Sequence, residues 1–371
     1  MSMMAKKKLR EGFTTGTSAA AALKAAALAL RGEFPKTVTV ESPQHRALTL
    51  PIEKSEVIDG IGSATVIKDA GDDMDVTHGT PIVVSLEVTT TPGITFIAGV
   101  GVGTVTRPGL QVKVGDAAIN PGPRWMMKRV YEELADEGTG WKVTVSVPAG
   151  EALAKKTLNP VLGVMGGISI IGTSGIVKPM SEEAYKKSLI PQFTVLRAAH
   201  QHWCVMTPGR IGYDAARKIY DLPVTDLVET SNFIGFMLEE AVDKDIREII
   251  LIGHLGKLIK VASGSFHTHN RMSDGRMETL AAYAALNGAD AATVKEILAC
   301  STTDGAAEII RANNLEAIYP QLAERAQVRA QRFVHEEAKV GVIFVTMQGE
   351  ILAQSSFAKE FMEAKPWLRN S

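Results

Sequence analysis

The chain concentrates titratable side chains in a few short glycine-containing segments, and the most acidic is DAGDDMDVTHG, residues 69–79. It places four aspartates within seven residues, with His78 shortly after them. Clustered carboxylates repel one another, so one is either held protonated or paired with a cation. Such a group acts as a general base or binds a divalent metal, although the ligand spacing and closing Glu of an EF-hand are missing. A solvated turn built on Asp side-chain caps explains the same residues equally well.

A histidine pair stands in the segment SFHTHNRMSDGRMETL. His267 and His269 are two residues apart, and Arg271 and Arg276 follow them. With a third ligand such as His254 the pair is able to ligate a metal, but the helical spacing of a zinc-protease motif is absent. We therefore expect these histidines to serve in hydrogen bonding or proton transfer.

Two further polar segments stand at the starts of predicted helices. TTGTS, residues 14–18, directly precedes an alanine-rich helix. There Thr17 is predicted to cap the helix, and the N–H groups of its first turn favour an anion. A simple N-cap is the alternative. In NPGPRWMMKR, Arg124 and Lys128 are four residues apart and share one helix face. Such a pair holds carboxylates or lies in solvent as an ordinary surface stripe.

Four loops follow predicted strands in the second half of the chain, where an open α/β sheet binds its ligands. Their small residues let backbone N–H groups approach a ligand, and Arg210 and Lys257 add a cation to two of them. None has the Walker A spacing, and none is a G-x-G-x-x-G followed by an acidic residue about twenty positions on. The loops are GTSG (172–175), TPGR (207–210), ETSN (229–232) and GHLGK (253–257).

The elements that must position these segments change in character near residue 150. Before it, short β-branched stretches and two helices, at residues 18–31 and from Pro123 to about Asp136, predict an α+β domain over residues 1–150. The predicted strands there are residues 37–40, 57–67, 82–90, 111–114 and 141–147. After it, helical patterns such as residues 182–197 alternate with apolar strands, which predicts βαβ units and a largely parallel sheet over residues 151–371. Those strands are residues 168–171, 202–206, 226–229, 248–252 and 340–346, the last forming a hairpin with 350–353.

Bulk properties exclude several classes of protein. The 371 residues are 45% hydrophobic and 22% charged, as in an ordinary globular protein, and the net charge of −1 offers no basic field for nucleic acid. Two cysteines exclude a disulfide framework and a cysteine-rich zinc module. The apolar run at residues 19–30 is too short to span a membrane. We expect a soluble cytoplasmic protein with no nucleic-acid or membrane partner, and leave open whether it forms a homo-oligomer.

Taken together, six segments resemble the cobalt-precorrin-5B C1-methyltransferase family (CbiD) of anaerobic cobalamin biosynthesis. They occur in the family's order and span most of the chain: LREGFTTGTSAAAALKAA, DAGDDMDVTHG, NPGPRWMM, GISIIGTSGIVKPMS, SNFIGFML and GHLGKLIKVASGSFHTHNRMSDGRMETL. The family usually has Cys at Ser18, Pro at Met74, and Asn-Thr-His-Ser where residues 267–270 read His-Thr-His-Asn. His267 is therefore left outside the predicted catalytic set.

The resemblance implies a two-domain α/β protein whose second part is Rossmann-like. It implies direct transfer of a methyl group from S-adenosylmethionine to C1 of cobalt-precorrin-5B, giving cobalt-precorrin-6A. Cobalt arrives in the tetrapyrrole substrate, so no protein-bound metal is expected. The alternatives are a non-catalytic carrier of the corrinoid intermediate, or a nucleotide-dependent oxidoreductase or kinase using the same crevice.

Three sets of residues follow for the predicted site. For the base that removes a proton after methylation, the candidates are Asp75, His254 and His269. For the S-adenosylmethionine side they are Gly172, Thr173, Gly175, Glu229, Gly253 and Gly256. For the substrate carboxylates they are Thr15, Thr17, Ser18, Arg124, Lys128, Lys257, Arg271 and Arg276.

Overall fold

The computed structural model describes residues 9–364, and the chain divides into two compact units, one ending at Glu182 and the other starting at Glu183. Residues 151–182, which the sequence analysis grouped with the second domain, instead pair with strands of the first unit. Their strands are only two residues long, and so short a pattern does not reveal its partner. None of the helices within residues 9–364 is long and apolar enough to cross a membrane.

The first unit consists mainly of short strands with three helices. The helices are α1 (Thr15–Leu30), α2 (Pro121–Leu134) and α3 (Gly150–Ala154). The strands are β1 (Gly12–Phe13), β2 (Thr37–Glu41), β3 (Ala47–Pro51), β4 (Lys54–Ile58), β5 (Ile61–Ile67), β6 (Pro81–Thr89), β7 (Gly93–Ala98), β8 (Gly101–Val102), β9 (Thr104–Val105), β10 (Gly140–Ser146), β11 (Val164–Met165), β12 (Gly167–Ile168) and β13 (Ile176–Val177).

A five-stranded sheet in the order β4-β5-β6-β10-β7 carries α1 on one face. Its neighbouring strands are antiparallel except for the parallel pair β10 and β7. The alanine-rich sequence of α1 explains the packing, because small side chains let the helix backbone approach the strands closely. At Gly62 of β5 an added Cβ would overlap the carbonyl oxygen of Ala26. The helix is therefore in direct backbone contact with the sheet.

Two strand predictions in this unit are wrong in their bounds or their existence. The predicted strand at residues 57–67 is a hairpin, because Asp59 and Gly60 adopt positive φ of 51° and 77° and turn the chain. The predicted strand at residues 111–114 consists of bends and turns. Strand propensity is expressed only where a neighbouring strand is available, and this segment has none in the described part of the chain.

The second unit contains one five-stranded sheet and most of the helices. The strands are β14 (Trp203–Thr207), β15 (Leu227–Glu229), β16 (Glu248–His254), β17 (Lys339–Val345) and β18 (Ile351–Gln354). The helices are α4 (Glu182–Leu189), α5 (Pro191–Ala198), α6 (Arg210–Tyr220), α7 (Ile234–Asp243), α8 (Leu255–Ser263), α9 (Arg276–Leu286), α10 (Ala291–Ala299), α11 (Thr303–Ala312), α12 (Ile318–Phe333) and α13 (Ser356–Ala364). The single helix predicted over residues 182–197 is two helices, since Pro191 starts a new one.

The strands of this sheet lie in the order β15-β14-β16-β17-β18. The first four are parallel, and β18 returns antiparallel to β17, which confirms the predicted hairpin. Helices α6 and α13 pack on one face and α8 and α12 on the other, so β16 is a continuous apolar run. The mixed α/β class predicted from the sequence is confirmed.

The strand order marks the edge of the sheet where a ligand is expected. After β14 the chain first adds β15 on one side and then β16 on the other, so the direction of growth reverses between β14 and β16. In open α/β sheets, ligands bind outside the carboxyl ends of the strands at such a reversal. The loops that follow β14 and β16 are TPGR and GHLGK.

Candidate active site

In the first unit, the TTGTS segment is joined to the GTSG loop. Thr14 caps α1, because its Oγ1 accepts a hydrogen bond from the N–H of Thr17 at 3.2 Å. The prediction that Thr17 is the cap is wrong. Thr17 lies inside the first turn, where its hydroxyl donates to the carbonyl of Gly175 at 2.6 Å. The segment holds several hydroxyls within one turn, and only the backbone geometry selects the cap.

The polar groups at the start of α1 are occupied by the protein itself. The Oγ1 of Thr15 accepts from the N–H of Ile171 at 2.9 Å, and the N–H of Gly16 donates to the Ile171 carbonyl at 2.9 Å. The hydroxyl of Ser18 donates to the Thr14 carbonyl at 3.2 Å, and both Thr17 and Ser18 are fully buried. The simple N-cap therefore accounts for this motif, because all three hydroxyls already have hydrogen-bond partners within the protein.

Close backbone approaches hold three sequence motifs together in this unit. A Cβ at Gly16 would overlap the ring of Pro123, one at Gly122 would overlap the carbonyl oxygen of Gly172, and one at Gly172 would overlap the Thr14 hydroxyl. The predicted position of the GTSG loop, at the carboxyl edge of the parallel sheet, is therefore wrong. Within this arrangement Gly175 is buried and Thr173 is exposed.

Asp75 in the acidic loop is paired with a buried lysine. Lys68 is 1% exposed, and its Nζ lies 2.7 Å from the Asp75 carboxylate. Thr77 donates to the same carboxylate from its N–H at 2.8 Å and from its hydroxyl at 2.6 Å. Burial alone would raise the pKa of Asp75, but the Lys68 charge and these hydrogen bonds outweigh it, so the pKa lies below its usual value. Asp75 is consequently an ionised and weak base.

The other aspartates of the loop fold it onto neighbouring backbone. Asp69 forms an ion pair with Arg10, which lowers the pKa of Asp69 to about 2. Asp72 accepts from the Arg10 N–H at 2.7 Å, and Asp73 accepts from the Met180 N–H at 2.9 Å. These contacts favour the turn built on Asp caps over the metal site. Across residues 9–364, no three His, Cys, Asp or Glu side chains are arranged to hold a metal ion.

The two cations of the α2 start differ in their availability. Arg124 donates to the Ile119 carbonyl at 2.7 Å and to the Ala117 carbonyl at 3.1 Å, and lies 3.3 Å from the Asp116 carboxylate. It therefore holds the preceding loop in place. Lys128 is 63% exposed and has only a 3.8 Å contact with Glu132, so it remains accessible to a ligand.

In the second unit, three of the predicted strand-end loops lie together. The Thr230 N–H donates to the Thr207 carbonyl at 3.0 Å, and Lys257 Nζ donates to the Pro208 carbonyl at 2.5 Å. A Cβ at Gly253 would lie 2.9 Å from the Pro208 ring, so only glycine fits there without a shift. The TPGR, ETSN and GHLGK loops thus meet where the strand order reverses.

Glu229 and Lys257 bring opposite charges to this edge. Burial lowers the pKa of Lys257, and the Glu229 carboxylate opposes that shift. The Glu229 backbone is held by Gln192, whose side chain accepts from its N–H at 2.8 Å and donates to its carbonyl at 3.1 Å. The Glu229 side chain itself is exposed. The carboxylate is therefore accessible to hydroxyl groups of a ligand, while Gln192 fixes the backbone that carries it.

Thr207 is a further polar residue of this edge, and it was not among the site residues predicted from the sequence. It ends β14, is 1% exposed, and its hydroxyl has no hydrogen-bond partner among the described residues. Unpartnered buried hydroxyls are costly and require an explanation, for example a bound ligand. The sequence feature that could have indicated Thr207 is its position at the end of a strand, directly before Pro208 and Gly209.

His254 caps α8 and has both ring nitrogens engaged. Its Nδ1 accepts from the Gly256 N–H at 3.2 Å, and its Nε2 lies 3.3 Å from Asp304 Oδ1. Because Nδ1 accepts a hydrogen bond, this pattern places the ring proton on Nε2, which donates to Asp304. Taking up a proton at Nδ1 would break the helix cap.

A buried lysine organises the loop that contains the histidine pair. Lys260 is 1% exposed, and its ammonium donates to Asn270 Oδ1 at 2.7 Å and to the carbonyls of Thr268 and Ser273 at 3.0 Å each. Burial lowers its pKa, although Asp274 opposes the shift. The sequence gives no signal that Lys260 is buried, because a lysine on an amphipathic helix is normally exposed.

Within this loop His269 and Arg271 are exposed, and Arg276 is not available. The His269 Nδ1 accepts from the Arg271 N–H at 3.2 Å. The Arg271 side chain forms no ion pair within residues 9–364. Arg276 instead makes two hydrogen bonds to Asp274, at 2.8 and 2.9 Å, and is 19% exposed.

Comparison with known proteins decides the family. The chain matches the CbiD family model over residues 2–179 and the CbiD C-terminal domain model over residues 267–356. It is 46% identical to a protein of Moorella thermoacetica named cobalt-precorrin-5B C(1)-methyltransferase, over 96% of this chain and 97% of the relative. The chain belongs to the CbiD family.

Other CbiD proteins are similar along nearly their full length. A protein of Desulfitobacterium hafniense is 45% identical over 95% of this chain and 91% of its own, and one of Methanocaldococcus jannaschii is 40% identical over 96% and 99%. Both have the same name as the Moorella protein. The crystal structure of a cobalamin biosynthesis protein (cbiD) from Archaeoglobus fulgidus matches with 31% identity over 72% of this chain and 84% of that chain, with a TM-score of 0.38. The CbiD C-terminal match begins at His267, inside the loop that Lys260 holds.

Proposed function

We propose that this chain is an S-adenosylmethionine-dependent C-methyltransferase that methylates C1 of cobalt-precorrin-5B to give cobalt-precorrin-6A. The observation that carries the proposal is 40–46% identity, over nearly the whole chain, to relatives with that name. The cobalt ion belongs to the macrocycle, so no metal bound by the protein is needed for the reaction.

The residues at the carboxyl edge of the second sheet fit the methyl donor. The donor has hydroxyl groups on its ribose and a carboxylate on its amino-acid end. The exposed carboxylate of Glu229 suits the ribose hydroxyls. Gly253 and Gly256 contribute less directly, because the space beside them is filled by Pro208 and by Thr303. The Thr207 hydroxyl has no hydrogen-bond partner among the described residues, so it is a candidate hydrogen-bonding group for the donor. On this basis we propose that the second unit is a Rossmann-like donor-binding domain.

We place Gly172, Thr173 and Gly175 outside the donor site. They lie in the first unit, where they shape the start of α1. Thr15, Thr17 and Ser18 share that structural role, since their hydroxyls are bonded to backbone carbonyl or N–H groups. Their importance to the enzyme is then in stability rather than in substrate contact.

When bound, S-adenosylmethionine supplies a methyl group on a sulfonium, which is already a good electrophile. The protein has then to align the reactants, exclude water and accept a proton from the macrocycle. Among the three candidate bases we favour His269. It is exposed and can therefore meet a substrate, whereas the His254 side chain is 16% exposed and its Nε2 already contacts Asp304. Asp75 is held ionised by Lys68.

We propose that Arg271 contacts a substrate carboxylate, because its side chain is exposed and forms no ion pair within residues 9–364. The same role for Lys128, an exposed cation of the first unit, stays a prediction. Arg124 and Arg276 are already bound to acceptors of the protein and are expected to position loops instead. A guanidinium is suited to a carboxylate because it makes two parallel hydrogen bonds.

The test is transfer of a ¹³C-methyl group from labelled S-adenosylmethionine to cobalt-precorrin-5B, followed by NMR of the product. One label at C1 per macrocycle is expected, and a label at another carbon would contradict the proposal. His269→Gln should lower kcat more than it weakens substrate binding, with His200→Gln, a histidine in a turn far along the sequence, as the matched control. Calorimetry with S-adenosylhomocysteine, with and without a stable cobalt corrinoid, separates an enzyme from a carrier, which would bind the corrinoid alone.

A further inference from the structure

Helix α6 begins without any cap. Its N-cap position is Gly209, which has no side chain, and its first turn contains no acidic residue. Within residues 9–364, no acceptor takes the N–H groups of Arg210, Ile211 or Gly212. These groups carry the positive end of the dipole of an 11-residue helix. The start of α6 is therefore an unsatisfied donor group at the reversal point of the sheet.

The Thr207 hydroxyl lies beneath this helix start. Side chains alternate between the faces of a strand, so Thr207 points to the same face as Val205. Val205 packs against Ala215 and Ala216 of α6. The Thr207 hydroxyl is thus buried on the α6 side, two residues before the N-cap, and finds no partner in the described structure. It is a second, independent unsatisfied polar group on the face of the sheet that α6 covers.

A cation lies next to the N-cap residue of α6. Lys257 Nζ lies 2.5 Å from the Pro208 carbonyl and 3.5 Å from the position of a Cβ built on Gly209. No carboxylate within residues 9–364 is at ion-pair distance from Lys257. The lysine is partly buried, so its charge is poorly solvated and gains from an anion. Since Gly209 has no side chain, the space beside the ammonium stays accessible.

The elements that carry these groups are held rigidly. A Cβ at Gly212 would overlap the carbonyl oxygen of Ile252, so the first turn of α6 is in direct contact with β16. Lys257 follows β16 on the first turn of α8. The donors therefore keep their spacing without the ligand, as a pre-organised site requires.

We propose that Thr207, the start of α6 and Lys257 together bind the α-carboxylate at the amino-acid end of the methyl donor. The inference rests on the proposed function and specifies one part of the donor site. A single negative charge matches a single ammonium and a helix terminus. Glu229, whose field reaches Lys257, would repel a doubly charged phosphate, which disfavours a nucleotide phosphate as the ligand.

Two donor analogues that differ in this carboxylate provide the test. S-Adenosylhomocysteine has the amino-acid end, and 5′-methylthioadenosine lacks it. By calorimetry, Lys257→Met is expected to weaken S-adenosylhomocysteine binding roughly 10- to 100-fold, the range of a charge-assisted hydrogen bond, and to change methylthioadenosine binding less than about 2-fold. Thr207→Val should weaken only S-adenosylhomocysteine, by roughly 3- to 10-fold. Lys218→Met, the same exchange on the exposed far end of α6, is the matched control and should change neither.

Equal losses for both analogues, or no loss, would overturn the inference while the proposed function stands. A loss of corrinoid affinity in Lys257→Met, with donor binding intact, would assign the site to a carboxylate of the macrocycle and also overturn it. If the wild-type protein binds neither analogue, even with a corrinoid present, the donor assignment in the proposed function fails, and this inference fails with it.

Discussion

Replacing Thr207 with valine should make the protein more stable, although most core substitutions destabilise. The Thr207 hydroxyl is buried, and the described residues offer it no hydrogen-bond partner. Leaving such a group unsatisfied costs about 1–3 kcal/mol, and valine has nearly the same shape without the polar atom. We expect the free energy of unfolding of the second unit to rise by about 1 kcal/mol. For a unit of this size that corresponds to a melting temperature about 2–4 °C higher.

Thermal unfolding followed by calorimetry measures this change, and the ligand-free protein must be used. The matched control is Ser355→Ala in the same unit. Ser355 is also fully buried, but its hydroxyl accepts from the Val342 N–H at 2.9 Å. Its removal leaves a buried strand N–H unsatisfied, so a loss of about 1–3 kcal/mol is expected. The two substitutions each remove one buried hydroxyl and should have opposite signs.

A lower stability of Thr207→Val would refute the reasoning, because it would show that the hydroxyl has a partner in the ligand-free protein. With saturating S-adenosylhomocysteine the stability advantage of Thr207→Val should shrink or disappear, because a roughly 3- to 10-fold weaker affinity offsets about 1 kcal/mol. The wild-type protein gains a bond from Thr207 to the ligand that the variant cannot make, so its melting temperature should rise more on ligand addition.

Three further predictions test other parts of the structure. Lys260→Met removes a buried cation that donates to three oxygen atoms of the loop. Amide hydrogen exchange of residues 265–275, measured by mass spectrometry, should therefore accelerate at least about 10-fold. The control Lys295→Met, at an exposed lysine, should leave the exchange rate unchanged. The pKa of Asp69 is about 2, against an ordinary value of 3.8, so its contribution to stability is complete above pH 3.8 and is lost as the pH falls through 2. Arg10→Met should flatten the curve of unfolding free energy against pH in that window. An unchanged slope would contradict the ion pair. Gly16→Ala should lower the free energy of unfolding of the first unit by about 1–3 kcal/mol in a denaturant titration, because its Cβ would overlap the ring of Pro123. An unchanged free energy would mean that α2 shifts away from α1 at little cost.

The amino-acid sequence by itself determined the α/β class, the parallel strands of the second unit and the family. The strands were visible because a sheet covered on both faces requires continuous apolar runs, as in β16. The meeting of the TPGR, ETSN and GHLGK loops also followed, because the carboxyl ends of neighbouring parallel strands lie at one edge. The resemblance to CbiD came from six ordered segments and did not depend on any geometry.

Only the tertiary structure decided which polar groups are already used. Thr15 bonds to Ile171 and Thr17 to Gly175, and these partners lie more than 150 positions away along the chain. Arg124 and Arg276 read as available cations in the sequence, yet both are bound to acceptors of the protein, whereas Lys260 proved to be buried. Periodicity and residue type report local burial and chemistry. Whether a donor or acceptor is satisfied depends on long-range partners. That dependence separates a residue proposed to bind a ligand, such as Lys257, from one that only holds the fold.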